Sequence, residues 1–266
     1  MNIITAISKI LETIRLHINI PKTLYFNFKV FGLRQAIRFP VFLYGKVQLE
    51  GLHKGCIELL NNNRMGGVKF GGGWYTEIYG CSNRYKSYLR IKGKMIVGTD
   101  ITINQGAVFS VNENAIVRIG NRVRFSERTL LHSKERITIE DDCLISWNSQ
   151  IVDSDFHYII NDGKLKYRNA PVHLGRNVWL ANGVSIMKGT CLPAYSVVAS
   201  NSLVNKDFSG SGERCLIGGV PAKCLKQNVE RLMCKDAEVD RLFAGFSSDL
   251  IYSEVKDELK KGQYQL

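Results

Sequence analysis

His157 lies in the stretch VDSDFHYIINDGKLKYRNAP, two residues after Asp155 and four after Asp153. An imidazole titrates near neutrality and can take the proton of a hydroxyl as its oxygen attacks, which is the work of a general base. A carboxylate nearby could hold the second ring nitrogen and fix the tautomer, so Asp155 and Asp153 are candidate orienting groups. The same residues also suit a solvated loop histidine beside aspartates that stabilise turns, and spacing alone leaves both readings open. The seven cysteines, at 56, 81, 143, 191, 215, 224 and 234, form no CxxC pair and are odd in number. Reduced thiols therefore fit better than a disulfide framework or a zinc site. Three histidines, His132, His157 and His173, stand 25 and 16 residues apart, a poor spacing for one shared metal ion, so no metal is expected.

Such residues need a scaffold, and the chain supplies one as a period. Leu174, Leu180, Ile186, Leu192, Val198 and Val204 recur every six residues, and the fifth place of each hexad holds a small or β-branched residue: Val178, Val184, Thr190, Ser196 and Ser202. Upstream, Ile91, Val97, Ile103 and Phe109 keep the same step, as do Ile119, Phe125 and Leu131, and then Ile139, Ile145 and Ile151. A surface helix repeats at 3.6 residues and a half-buried strand at 2. A step of six fits one side of a triangular parallel β-solenoid, where a large aliphatic points inward and a small residue helps the corner turn. Sixteen sides give about five coils over 91–207, with one or two irregular coils over 45–90. Cys143 and Cys191 fall within hexads and read as small hydrophobes, not nucleophiles. The stretch after Ile151 is an insertion that returns to register at Leu174, and loops on rigid scaffolds are where function concentrates.

Solenoid ends expose strand edges and need covering. Residues 3–18 have apolar positions at helical spacing and read as an amphipathic helix ending at Pro21, while 228–261 read as a charged helical segment suited to a C-terminal cap or a subunit contact. In the 266-residue chain, 36 Lys+Arg against 24 Asp+Glu give +12, and 45% hydrophobic residues exclude a disordered tail. Residues 1–54 hold eight basic and two acidic side chains, so a peripheral membrane contact and a helix packed on the chain's own core both remain open. Lys9, Glu12 and Arg15 interrupt any secretory h-region, and no apolar run is long enough to span a bilayer, which points to a cytoplasmic protein or one at the cytoplasmic face of the inner membrane. No nucleic-acid motif accompanies the charge, so nucleic acid is not the expected partner, although a basic scaffold or nucleic-acid binder is kept as an alternative.

The segments PVHLGRNVWLANGVSIMKGTCLPAYSVVASNSLVNKDF, IGGVPAKCLK and LISWNSQIVDSDFHYI resemble the left-handed β-helix, hexapeptide-repeat acyltransferases, especially the maltose/galactoside O-acetyltransferase-like branch of capsule and O-antigen biosynthesis. The resemblance covers about 91–226. It implies an all-β left-handed parallel β-helix with helical caps, divided as a basic N-terminal region (1–45), a β-helix (46–226) with a loop insertion (152–172), and a helical extension (227–266). It implies acetyl-CoA-dependent O-acetylation of a saccharide by direct transfer, with His157 as general base and no metal. N-acylation of an amino sugar is the close variant, and a γ-carbonic-anhydrase-like metalloenzyme is a remote one. The resemblance puts the coenzyme at Ala181, Asn182, Gly183, Ala199 and Ser200, with Lys206 and Lys223 for its phosphates, and the acceptor beside Trp147 and Asn148. Where galactoside-type members carry an acceptor-binding asparagine this chain reads FSERTL, with Ser126, Glu127 and Arg128, so acceptor recognition is expected to differ. A homotrimer with the site between subunits, and a free, lipid-linked or nucleotide-linked acceptor, are the implied partners.

Overall fold

The computed structural model describes residues 18–61, 64–72, 85–229 and 231. The helix expected over 3–18 falls outside the described residues but for Ile18; of the segment expected to be helical over 228–261, Asn228, Val229 and Arg231 are described and are not helical, and the rest lies outside them.

Three parallel sheets take turns along the chain. The first face runs from Val41–Leu43 through Leu144–Ile145, Trp179–Leu180 and Val197–Val198 to Leu216–Gly219, with Ala222–Lys226 added antiparallel as its last strand. The second has seven strands from Val47–Glu50 to Leu203–Val204, and the third has six from Ile57–Leu59 to Cys191–Leu192. Each circuit visits faces one, two and three in order, so the second face counts seven coils of a parallel β-helix. The two coils before residue 91 pair in register like the rest, as Val47↔Ser87 and Val68↔Ile101 do.

All sixteen residues of the six-residue ladder are at most 3% exposed. Repeating coils stack like on like, and Phe70, Phe109 and Phe125 meet edge to face at centroid distances of 5.7 and 5.0 Å. The small fifth-place residues are buried at the corners, where their hydroxyls satisfy carbonyls that no strand reaches: Ser196 Oγ donates to Pro193 O (2.8 Å) and Ser202 Oγ to Ala199 O (2.7 Å). Left-handed residues mark the same corners coil after coil, as at Asn148, Gly183 and Asn201. At Gly183, φ +69°, a Cβ would lie 2.3 Å from Asn201 Oδ1, so a side chain there is strained and displaces that amide.

Pro21 begins a helix where the sequence reading has it end one. Helix α1 (Ile20–Val30) carries Pro21 in its first turn, where a missing N–H costs nothing, and Asn19 caps it by accepting from Lys22 N (3.1 Å). Helix α2 (Leu33–Ala36) follows. Val41–Leu43 is the edge strand of the first face, and α1 covers that edge with side chains. Asn27 Nδ2 donates to Val41 O (2.7 Å), and Leu43 N donates to Thr23 Oγ1 (3.1 Å). Phe26 and Val30 close the core beneath. Among the described residues no helix is long and apolar enough to cross a membrane.

Candidate active site

The insertion leaves the helix between the second and third faces, after Gln150–Val152, and rejoins at Val172–Leu174. Its base is a short antiparallel closure in which Asp155 N donates to Arg168 O (2.8 Å) and Ala170 N to Asp153 O (3.0 Å). Ser154 Oγ donates to Asn169 Oδ1 (2.7 Å) and accepts from Phe156 N (3.0 Å). Beyond the base, Ile159–Asn161 and Lys164–Lys166 pair as a hairpin exposed on both faces. Its turn is Asp162-Gly163, both at positive φ, a two-residue hairpin signal legible in the sequence.

His157 is exposed at the neck of this insertion, and its backbone N–H donates to Asp155 O at 2.7 Å. Phe156, just before it, is left-handed at φ +63°, an uncommon state for an aromatic residue. The Phe156 ring is fixed edge to face on His132 at 4.9 Å, with Lys134 Nζ 5.0 Å above it.

The two aspartates are not brought to the His157 ring. Asp153 is fully buried and accepts from Ser133 Oγ (2.7 Å), Lys134 N (2.7 Å) and Glu135 N (3.0 Å), so it fastens the corner of the preceding coil. Asp155 pairs with Lys188 Nζ at 2.7 Å, and Lys188 also donates to Tyr167 O. One lysine from the next coil thereby ties both strands of the insertion's neck. Sequence reading missed Lys188, because its partner is 33 residues away along the chain and one coil away in space.

The sequence marks His132 only as a metal-ligand candidate. It lies on the second face with Nε2 buried and unpartnered. Burial, reinforced by Lys134 and Arg90 and opposed by Asp153, holds its pKa below the usual histidine value. His173 instead contacts Glu140 Oε1 (3.0 Å) on the third face, and among the described residues no group of three or more His, Cys, Asp or Glu is placed to hold a metal ion.

The remaining site residues gather at another corner, between the first and second faces. Trp147, Asn148, Ala181, Asn182, Gly183, Ala199 and Ser200 form a column along the helix. Gly183 N donates to Trp147 O (3.0 Å), Asn201 N to Asn182 O (3.0 Å) and Ser200 Oγ to Asn182 Oδ1 (2.7 Å). The amides of Ala181 and Ala199 serve the coil, donating to Val198 O (3.0 Å) and Ile217 O (2.8 Å). Those of Asn182 and Ser200 make no hydrogen bond among the described residues and are the N–H groups able to receive an oxyanion. Ala181, Gly183, Ala199 and Ser200 keep the later coils of this column low beside Trp147. Lys206 lies at the His157 corner with Nζ 5.0 Å over the Phe208 ring, and Lys223 is exposed on the last strand of the first face. A whole strand of the second face therefore separates the column from His157 within one chain.

No family model matches the chain. It is 26% identical over 154 residues to WbbJ of Escherichia coli K12, assigned as an O-acetyl transferase of lipopolysaccharide biosynthesis, covering 54% of this chain and 77% of that one. It is 31% identical over 154 residues to an uncharacterised 24.8 kDa protein of the cps region of Klebsiella pneumoniae, covering 58% and 68%. It is also 28% identical over 144 residues to the polysialic acid O-acetyltransferase of Escherichia coli O1:K1, covering 53% and 44%. By these relatives the chain belongs with the O-acetyltransferases of surface-polysaccharide biosynthesis, and its six-residue ladder closes a parallel β-helix.

Proposed function

We propose that the protein moves an acetyl group from acetyl-CoA to a saccharide hydroxyl during surface-polysaccharide assembly, with His157 as general base. The exposed imidazole on a neck pinned to a rigid coil carries this reading. His157 takes the hydroxyl proton as the oxygen attacks the thioester carbonyl. The tetrahedral oxyanion is received by N–H groups such as those of Asn182 and Ser200, and the C–S bond breaks as the departing sulfur recovers the proton from His157. Asp153 and Asp155 act through the backbone they hold rather than as partners of the ring. Lys206 and Lys223 would meet the coenzyme phosphates, and Trp147 and Asn148 the sugar.

Because His157 and the coenzyme column occupy different corners of one chain, the reading requires a second copy to bring the corners together, in a homotrimer. Helix α1 turns Ile20, Leu24, Tyr25 and Phe28 outward, 42–56% exposed beside Lys22 and Lys29, a composition suited to the surface of an anionic bilayer and to a lipid-linked acceptor there.

Purified protein given labelled acetyl-CoA and capsular or lipopolysaccharide-derived oligosaccharides is expected to form a base-labile acetyl ester. Label that appears only as free acetate would contradict the proposal. Subunit sharing has its own test in co-expression of His157→Ala with Ser200→Trp, which obstructs the column at an exposed position. Mixed oligomers should recover activity that neither variant has alone, and a monomeric mass with no recovery would contradict a shared site.

A further inference from the structure

We propose that Lys134 and Arg168 make the acceptor site selective for an acidic glycan, with a sugar carboxylate as the group they receive. This deepens the saccharide reading above and rests on it.

The charges around His157 do not cancel. Asp153 is spent on three buried hydrogen bonds, Asp155 on Lys188, and Asp162 stands at the hairpin tip bonded to Asn161. Lys134 and Arg168 have no carboxylate partner among the described residues. Each lies instead over an aromatic ring: Lys134 Nζ is 5.0 Å from the centroid of Phe156 and Arg168 Cζ is 4.7 Å from that of Tyr158. Those rings belong to the residues on either side of His157, and they are 41% and 60% exposed.

A cation over a ring is held in place while its N–H donors stay available to a ligand. The guanidinium of Arg168 offers a planar fork that a carboxylate fills with two parallel hydrogen bonds. The exposed rings offer apolar surface to the C–H face of a pyranose. A site for a neutral sugar would need the rings and not the charge. Lys164 and Lys166, exposed on the same hairpin, extend the positive field along it. The coenzyme is a rival source of anions, because assembly brings the column of a second copy to this corner and Lys206 stands there too, so coenzyme affinity is measured for the same variants.

The test uses the full-length protein with hyaluronan and oligogalacturonate oligosaccharides, each paired with its carboxyl-reduced form. Binding is measured by calorimetry at low and high salt, and so does not depend on turnover. The acidic member of at least one pair should bind about tenfold more tightly at low salt, with the advantage shrinking as salt rises. Arg168→Ala and Lys134→Ala should each erase most of that advantage, and Arg168→Lys should keep part of it, with coenzyme affinity and oligomer mass unchanged. Equal binding of both members of every pair, including no binding of either, would overturn the inference. So would variants that weaken coenzyme binding or assembly while leaving the acidic preference intact. Acetyl transfer without acidic preference would remove the inference and leave the proposed activity; acidic preference without transfer to any glycan would do the reverse.

Discussion

Asp153 and Asp155 are two positions apart, yet one is sealed at 0% exposure while the other meets a lysine at the neck of the insertion. Their nearness to His157 in the sequence suggests a hydrogen-bonded dyad. Sequence adjacency says little here, because each residue's neighbours in a solenoid are those one coil above and below. His157 stands out by type and by place, whereas Lys188 and the half-buried His132 do not, since the residues they meet, Asp155 and Phe156, are a full coil distant. His132 makes a prediction of its own. Burial first, then Lys134 and Arg90, keep its imidazole below the ordinary value, with Asp153 opposing. Above about pH 6.5 the group is neutral in the folded and the unfolded chain and adds no pH dependence. Below that point the unfolded chain takes up a proton that the folded chain refuses, so stability falls as pH drops toward the folded pKa and levels off beneath it. Urea midpoints measured from neutral to mildly acidic pH should therefore fall more steeply for the wild type than for His132→Gln. Parallel slopes would show that His132 does not titrate this way.

At the scale of elements, the hexads were fully legible, because a six-residue side leaves the same inward position in every coil. All the ladder residues read from spacing are buried, from Ile91 to Val204. The helix at Ile20–Val30 was not legible, and it is distinct from the one expected over 3–18, which falls outside the described residues but for Ile18. Pro21 is compatible both with a helix end and with a first turn, and the deciding partners are the backbone groups of Val41 and Leu43 on the edge strand, about 20 residues further on. The Asp162-Gly163 turn announces the hairpin, but a six-residue period has no place for an element that leaves the coil. Lys188 fixes that element by holding Asp155 on one strand of its neck and Tyr167 O on the other. Lys188→Ala should lower kcat by about tenfold or more through a misplaced His157, with the KM for acetyl-CoA little changed and partial rescue by Lys188→Arg. A variant whose whole loss lies in the KM for acetyl-CoA would assign Lys188 to the coenzyme instead.

Over the whole molecule, seven coils create repeating corners, and the candidate chemistry divides between two of them. One carries the base and the aromatic, basic arm; the other carries the low column of small residues and its two uncommitted amides. The excess of +12 takes on a geometry as well: part lies on α1 beside exposed aliphatic and aromatic side chains, and part surrounds His157. The central claim is that His157 removes the acceptor proton, and acetyl transfer by His157→Ala beside the wild type tests it most directly, with folding verified by circular dichroism and coenzyme binding by calorimetry. The account predicts that turnover falls by about 10² or more while coenzyme affinity is retained; turnover equal to the wild type would contradict it.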